Sequence, residues 1–164
     1  MDMLIPLTRG MVAVVDDKNY EDLTRHKWHA HKAARTFYAR TNIPTGSGEY
    51  RGVYMHRMIL DISEKEQADH INGNGLDNRE INLRACSRSE NLRNRRGNRN
   101  GSSAYKGVYW DSRDKRWTAR IKKDGQRISL GMYSDEIEAA RAYDVAARDY
   151  HGEFARVNFV PSMG

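Results

Sequence analysis

The 164-residue chain contains one cysteine, Cys86. A single thiol forms no internal disulfide and cannot supply the paired CxxC knuckles of a cysteine-rich zinc site, so structural zinc is not expected. Long apolar runs are missing too. None approaches the roughly 20 residues needed to cross a bilayer, which excludes a helical membrane span. The start, MDMLIPLTRG, lacks the basic opening and extended apolar stretch of a secretion signal, having an acid at Asp2 and a break at Pro6. A cytosolic protein is expected. At this length, with 38% hydrophobic residues, the chain can bury a modest core as one ordinary domain or two small ones.

What is present is positive charge, and it is concentrated. Lys and Arg number 28 against 22 Asp and Glu. Residues 84–99 carry six arginines against Glu90 alone, and residues 106–127 carry eight basic side chains against three acids, whereas 128–164 is net acidic. Such blocks suit a polyanion but also suit an ordinary solvated face. The polar, glycine-containing stretch 94–103 has no apolar residue and reads as a linker.

Before the linker, the run Gly10–Val15 predicts a strand ending in a turn at Asp16-Asp17-Lys18-Asn19. Strand-like stretches follow over 28–33 and 36–41. Val53, Met55, Met58, Ile59 and Leu60 fit a short strand or a helix, and a helix is expected. His26, His29 and His31 lie close in sequence, yet no cysteine or well-spaced carboxylate accompanies them, so zinc is not expected there. The centre reads Asp69-His70-Ile71-Asn72-Gly73, a turn-rich loop, then Ile81-Asn82-Leu83-Arg84. This predicts a hairpin, and Ser87-x-x-Glu90 predicts a capping box opening a helix that carries Asn91.

In these residues the chain resembles the HNH endonucleases with a ββα-metal site, in particular the phage homing endonucleases of the His-Asn-Asn type. The resemblance implies that Asp69 and Asn91 hold one divalent cation, Mg²⁺ or Mn²⁺, that His70 is the general base on a water, and that Asn82 fixes the hairpin and orients His70. The implied reaction is hydrolysis of a DNA phosphodiester.

After the linker the period changes. Trp117, Ala119 and Ile121 alternate with Arg116, Thr118, Arg120 and Lys122, predicting a half-buried strand. Asp124-Gly125 predicts a tight hairpin into a second strand with Ile128, Leu130 and Met132 inward and Arg127 and Ser129 outward. A shorter strand around 108–110 precedes them. Ser134 is the expected N-cap of a helix that runs to about Tyr150, stops at Gly152 and covers the sheet. Tyr105-Lys106-Gly107-Val108, Trp117–Ile121, Leu130–Tyr133, Glu138–Asp144 and Val157-Asn158-Phe159 resemble the plant apetala and ethylene-response-factor type DNA-binding domain. That resemblance implies a three-stranded sheet in the DNA major groove. Tyr109, Asp111 and Ser129 depart from the plant pattern, so the plant target sequence is not implied. Trp117 is expected to pack against the helix.

The sequence therefore predicts an α+β protein. Residues 1–93 would form an HNH endonuclease domain with its ββα-metal core motif at 68–93, residues 94–102 a basic flexible linker, and 103–160 a small three-stranded antiparallel sheet with one packed helix. The expected function is site-directed cleavage of double-stranded DNA by a homing endonuclease in the cytoplasm of a bacterial or phage-infected host cell. DNA contacts are expected from Arg84, Arg93, Arg95 and Arg96, and from Lys106, Tyr109, Arg113, Lys115, Arg116, Arg120, Lys122 and Arg127. No membrane and no obligate protein partner are expected. One alternative is a DNA-binding transcription regulator whose HNH part is a non-catalytic scaffold; another is an RNA-binding protein.

Overall fold

The computed structural model describes residues 1–63, 65–94 and 101–160. They are a mixture of helices and antiparallel sheets, divided into two units, Met1–Asn91 and Leu92–Gly164.

In the first unit, β1 (Asp2–Pro6) pairs antiparallel with β2 (Val12–Asp16). Helix α1 (Asp17–Thr24) follows directly, on the residues expected to form a turn. Asp17 sits in its first turn, where a carboxylate complements the helix dipole, and Leu23 is its one buried side chain. A helix with so narrow an apolar face leaves little periodic signal. Strands β3 (His29–Lys32), β4 (Phe37–Pro44) and β5 (Tyr50–Tyr54) form a three-stranded sheet in that order, and β5 runs straight into α2 (Met55–Leu60). The stretch expected to be one helix is thus a strand and then a helix. Ile5, Ala13, Val15, Leu23, Trp28, Ala30, Ala39 and Met55 make one core. Then β6 (Gln67–His70) and β7 (Leu83–Cys86) pair as a hairpin, followed by α3 (Arg88–Arg93). The capping box forms: Ser87 N donates to the Glu90 carboxylate at 2.8 Å, and Glu90 N donates to Ser87 Oγ at 3.3 Å.

In the second unit, β8 (Val108–Asp111), β9 (Arg116–Lys123) and β10 (Gln126–Tyr133) form an antiparallel sheet in the order β10-β9-β8. Asp124 and Gly125 both have positive φ, as a primed two-residue turn requires. The long α4 (Glu136–His151) packs its alanines on the sheet, with Ala139 and Ala140 against Val108 and Ala119, and Ala146 and Ala147 beside Ile121. Its N-cap is Asp135, one residue later than expected: the Asp135 carboxylate accepts from Glu138 N at 2.9 Å. Of the expected linker, residues 95–100 lie outside the described residues.

One strand departs from simple alternation. Ser129 pairs with Arg120 and Gly131 with Ala119, so Leu130 is an extra residue, a β-bulge. Gly131 there has φ +127°, a conformation that side-chain-bearing residues rarely adopt. The Tyr133 hydroxyl donates to the Leu130 carbonyl at 2.9 Å across the bulge. Beyond it the phase of β10 is reversed. Met132, expected inward, faces away from the helix and is 40% exposed, while Tyr133 turns into the core.

The tail closes on α4 through the buried Asp144. Its carboxylate accepts from Asn158 N (2.7 Å), Asn158 Nδ2 (3.0 Å) and Phe159 N (2.8 Å). Replacing Asp144 by Ala leaves two backbone N–H groups without their acceptor and takes one of its two acceptors from the Asn158 amide, which should cost roughly 2–4 kcal/mol. Urea unfolding followed by circular dichroism should show the lower midpoint; an unchanged midpoint would mean that the carboxylate does not hold the tail.

Candidate functional site

The central hairpin brings its polar residues together. Asp69 lies directly opposite Arg84 in the β6–β7 ladder. A cross-strand pair of opposite charge is the natural result. Arg84 Nε and a terminal nitrogen both donate to Asp69 Oδ2, at 2.9 and 2.7 Å. The carboxylate expected to hold a cation is buried against a guanidinium, and the arginine expected on DNA is engaged inside the hairpin. Asn91, the other expected ligand, donates from Nδ2 to Gln67 Oε1 at 2.9 Å. Among the described residues no three His, Cys, Asp or Glu side chains are grouped as a metal site needs. Asp69, one of the two expected ligands, is thus already paired with a cation of the protein itself.

His70 is buried, with Nε2 3.4 Å from Asn78 Oδ1. Its ring lies 5.0 Å from that of His56 and 5.6 Å from that of Tyr38, and His56 stacks on Tyr54 at 5.3 Å. An imidazole enclosed in this way is a packed core group. Asn82 clamps the intervening loop, accepting from Asn72 N at 3.0 Å and donating to the Asp77 carbonyl at 2.7 Å. Sequence reasoning missed Asn78 and Asp77, which looked like turn formers. Their place is set by β2: Val14 N donates to Leu76 O at 2.9 Å and Asn78 N to Val14 O at 2.7 Å. No local pattern announces a pairing across more than sixty residues.

The second unit sorts its charge by strand parity. On β9 the odd positions Trp117, Ala119 and Ile121 face α4, and the even positions face away from it. The open face therefore carries Arg116, Arg120 and Lys122 on β9 and Arg127 on β10, all exposed. Arg127 stands opposite Lys122, Ser129 opposite Arg120, and Asp111 opposite Arg116. Tyr109 is 48% exposed on the same face, with the Arg120 guanidinium 6.0 Å from its ring centre. Arg113 and Lys115 are exposed in the β8–β9 turn. Trp117 packs in the core beside Trp110, their rings 5.0 Å apart.

Two residues expected on DNA are engaged within the fold. Lys106 is half-buried: its ammonium donates to the Arg93 carbonyl and lies 6.0 Å from the Tyr143 ring centre, and burial lowers its pKa to about 8. Arg93 is partly covered, with a terminal nitrogen 3.6 Å from Asp124. Arg95 and Arg96 lie outside the described residues.

Residues 103–153, which build this sheet and the whole of its helix, match the family model of the AP2 domain. The chain is 43% identical over 68 residues to the AP2-like ethylene-responsive transcription factor TOE2 of Arabidopsis thaliana, covering 42% of this chain and 14% of that protein. It is 45% identical over 65 residues to the dehydration-responsive element-binding protein 2A of Oryza sativa subsp. indica, covering 38% of this chain and 23% of the other. With the AP2/ERF and B3 domain-containing transcription repressor TEM1 of Arabidopsis thaliana it shares 45% over 58 residues, covering 35% and 16%. The chain thus spans 14 to 23% of the length of these relatives.

These findings correct the expected activity. The matches run to plant transcription factors rather than to a phage homing endonuclease, and the reading of the chain as a metal-dependent DNA hydrolase falls with them. The expected phage-infected setting falls too, the relatives being plant proteins. Among the described residues no helix is long and apolar enough to cross a membrane.

Burial of the His56–His70 pair has a consequence for stability. It lowers both pKa values from the ordinary 6.5, that of His56 to about 3 with the neighbouring His70 adding to the effect. Both imidazoles are neutral in the fold, whereas the unfolded chain takes up their protons below about pH 6.5. Stability is therefore full near pH 7 and is lost as the pH falls from about 6.5 toward 3, at about 1.4 kcal/mol per pH unit for His56. Urea midpoints measured between pH 7 and 5 should fall steeply for the natural chain and less steeply for His56→Phe. Equal slopes would show that the imidazole is not held neutral.

Proposed function

We propose that this protein binds a particular sequence of double-stranded DNA and thereby regulates transcription, using the open face of the β8–β10 sheet as its reading surface. The observation that carries this reading is the sorting of side chains by strand parity. Arg116, Arg120, Lys122 and Arg127 all project from one face of the sheet while α4 covers the other. Three strands about 4.8 Å apart make a surface about 10 Å across, which suits a major groove about 12 Å wide. Arg120, at the centre of the middle strand, is placed to reach base edges, where a guanidinium bonds both guanine acceptors. Arg113, Lys115 and Lys122, nearer the turns, suit phosphates. The names of the relatives, a transcription factor, an element-binding protein and a transcription repressor, support the same reading. The β6–β7 hairpin with α3 is then a non-catalytic scaffold, its Asp69 neutralised by Arg84. Binding is proposed to need no protein partner.

The test is the affinity of the full chain for a duplex selected from a random library and for a scrambled duplex, over a salt series. Arg120→Ala should cost about 1–3 kcal/mol on the selected site and much less on the scrambled one. Lys122→Ala should weaken both about equally and lower the salt slope by about one. Equal losses in the Arg120 variant would make the face an electrostatic platform without base reading.

A further inference from the structure

The open face carries an apolar row that its charge does not explain. Tyr109 on β8 pairs with Thr118 on β9, and Thr118 pairs on its other side with Met132 on β10. Tyr109 and Met132 are 48% and 40% exposed, while Thr118 between them is 4% exposed. The Thr118 hydroxyl is used internally, donating to the Tyr109 carbonyl at 3.2 Å. What this row offers to solvent is therefore two apolar side chains about two strand spacings apart, roughly 10 Å. They stand in the middle of a basic face: Arg116 and Arg120 occupy the outward positions on either side of Thr118 along β9. Alternation had placed Met132 in the core, and only the bulge at Leu130 brings it here.

An exposed thioether and an exposed aromatic ring beside guanidinium groups have one chemical counterpart in the major groove. The floor of the groove is polar except where a pyrimidine carries a methyl group on C5. We infer that the Tyr109–Met132 row reads a C5-methylated pyrimidine next to a guanine held by Arg120, an inference that rests on the open face being the DNA-reading surface. Successive outward positions on a strand are about 6.8 Å apart. The rise per base pair is about 3.4 Å, so the methyl and the guanine should lie within about two base pairs of each other. Thymine and 5-methylcytosine present the same methyl, and the experiment separates them.

The full chain is first used to select its preferred duplex, and each thymine of that site is then replaced singly by uracil, which removes only the methyl. In parallel, each cytosine is replaced by 5-methylcytosine, and affinities are read by fluorescence anisotropy at one salt concentration. If thymine is the ligand, one thymine-to-uracil change weakens binding roughly three- to fivefold, the size expected for one buried methyl. If methylated cytosine is the ligand, uracil is silent and one 5-methylcytosine strengthens binding by a similar factor. In either case Met132→Gln, at an exposed position outside the core, should abolish the methyl effect while leaving the salt slope, which counts phosphate contacts, unchanged. Silence of both substitution series overturns the inference while leaving sequence-specific binding intact. A methyl effect that persists in Met132→Gln also overturns it, since the reader is then elsewhere. If selection yields no preferred duplex, the proposed function fails and the inference fails with it.

Discussion

A buried carboxylate organises the second unit of this chain. Asp144 stands on the sheet side of α4 and takes three hydrogen bonds from Asn158 and Phe159. The Asn158 amide then holds the segment entering β8: its Oδ1 accepts from Lys106 N at 2.7 Å and its Nδ2 donates to Lys106 O at 3.1 Å. Helix, tail and edge strand are thus joined through one buried carboxyl group that accepts three hydrogen bonds, the condition under which such a group is tolerable in a core. The short apolar contacts around it, mostly alanine on one side, could not by themselves fix the direction of the tail. With the tail fixed, α4 can cover only one face of the sheet. The other is left to arginine and lysine.

The two halves were unequally legible in the sequence. In the second, period two on β9, the Asp124-Gly125 turn and the alanine-rich helix all described the same arrangement, because each is a local consequence of local chemistry. The bulge was not legible. A single inserted residue does not disturb composition or turn signals, yet it reverses the phase of everything after it. In the first half α1 was hidden because Leu23 is its only buried side chain, and the β5-to-α2 junction because a strand running directly into a helix leaves no turn residues between them.

The central hairpin was legible as architecture and misleading as chemistry. Hairpin, capping box and helix follow from turn residues and spacing, and they are present. Side-chain types in the right order do not settle what each faces, and here the register does. Asp69 stands opposite Arg84, so the carboxylate is neutralised across the ladder at 2.7 Å. His70 is closed in by Tyr38, His56 and Asn78, two of which come from segments more than ten residues before the motif. Nothing within the motif itself could disclose those walls. Two buried nitrogens in this nest without a hydrogen-bond partner, His56 Nδ1 and Asn78 Nδ2, mark where satisfying every polar group conflicted with packing the rings.

The bulge in β10 couples the inside of the second unit to its outside. Without the extra residue, Tyr133 would project onto the open face and Met132 into the core. With it, the large ring of Tyr133 closes against Trp117 and the helix alanines, and its hydroxyl finds the Leu130 carbonyl that the irregular ladder exposes. The smaller, polarisable Met132 is delivered to the open face in exchange. Core packing and surface chemistry are therefore set by one backbone event. Replacing Gly131 with a residue that disfavours its φ of +127° would disturb both at once, since the strand cannot regain simple alternation without withdrawing the methionine and expelling the tyrosine.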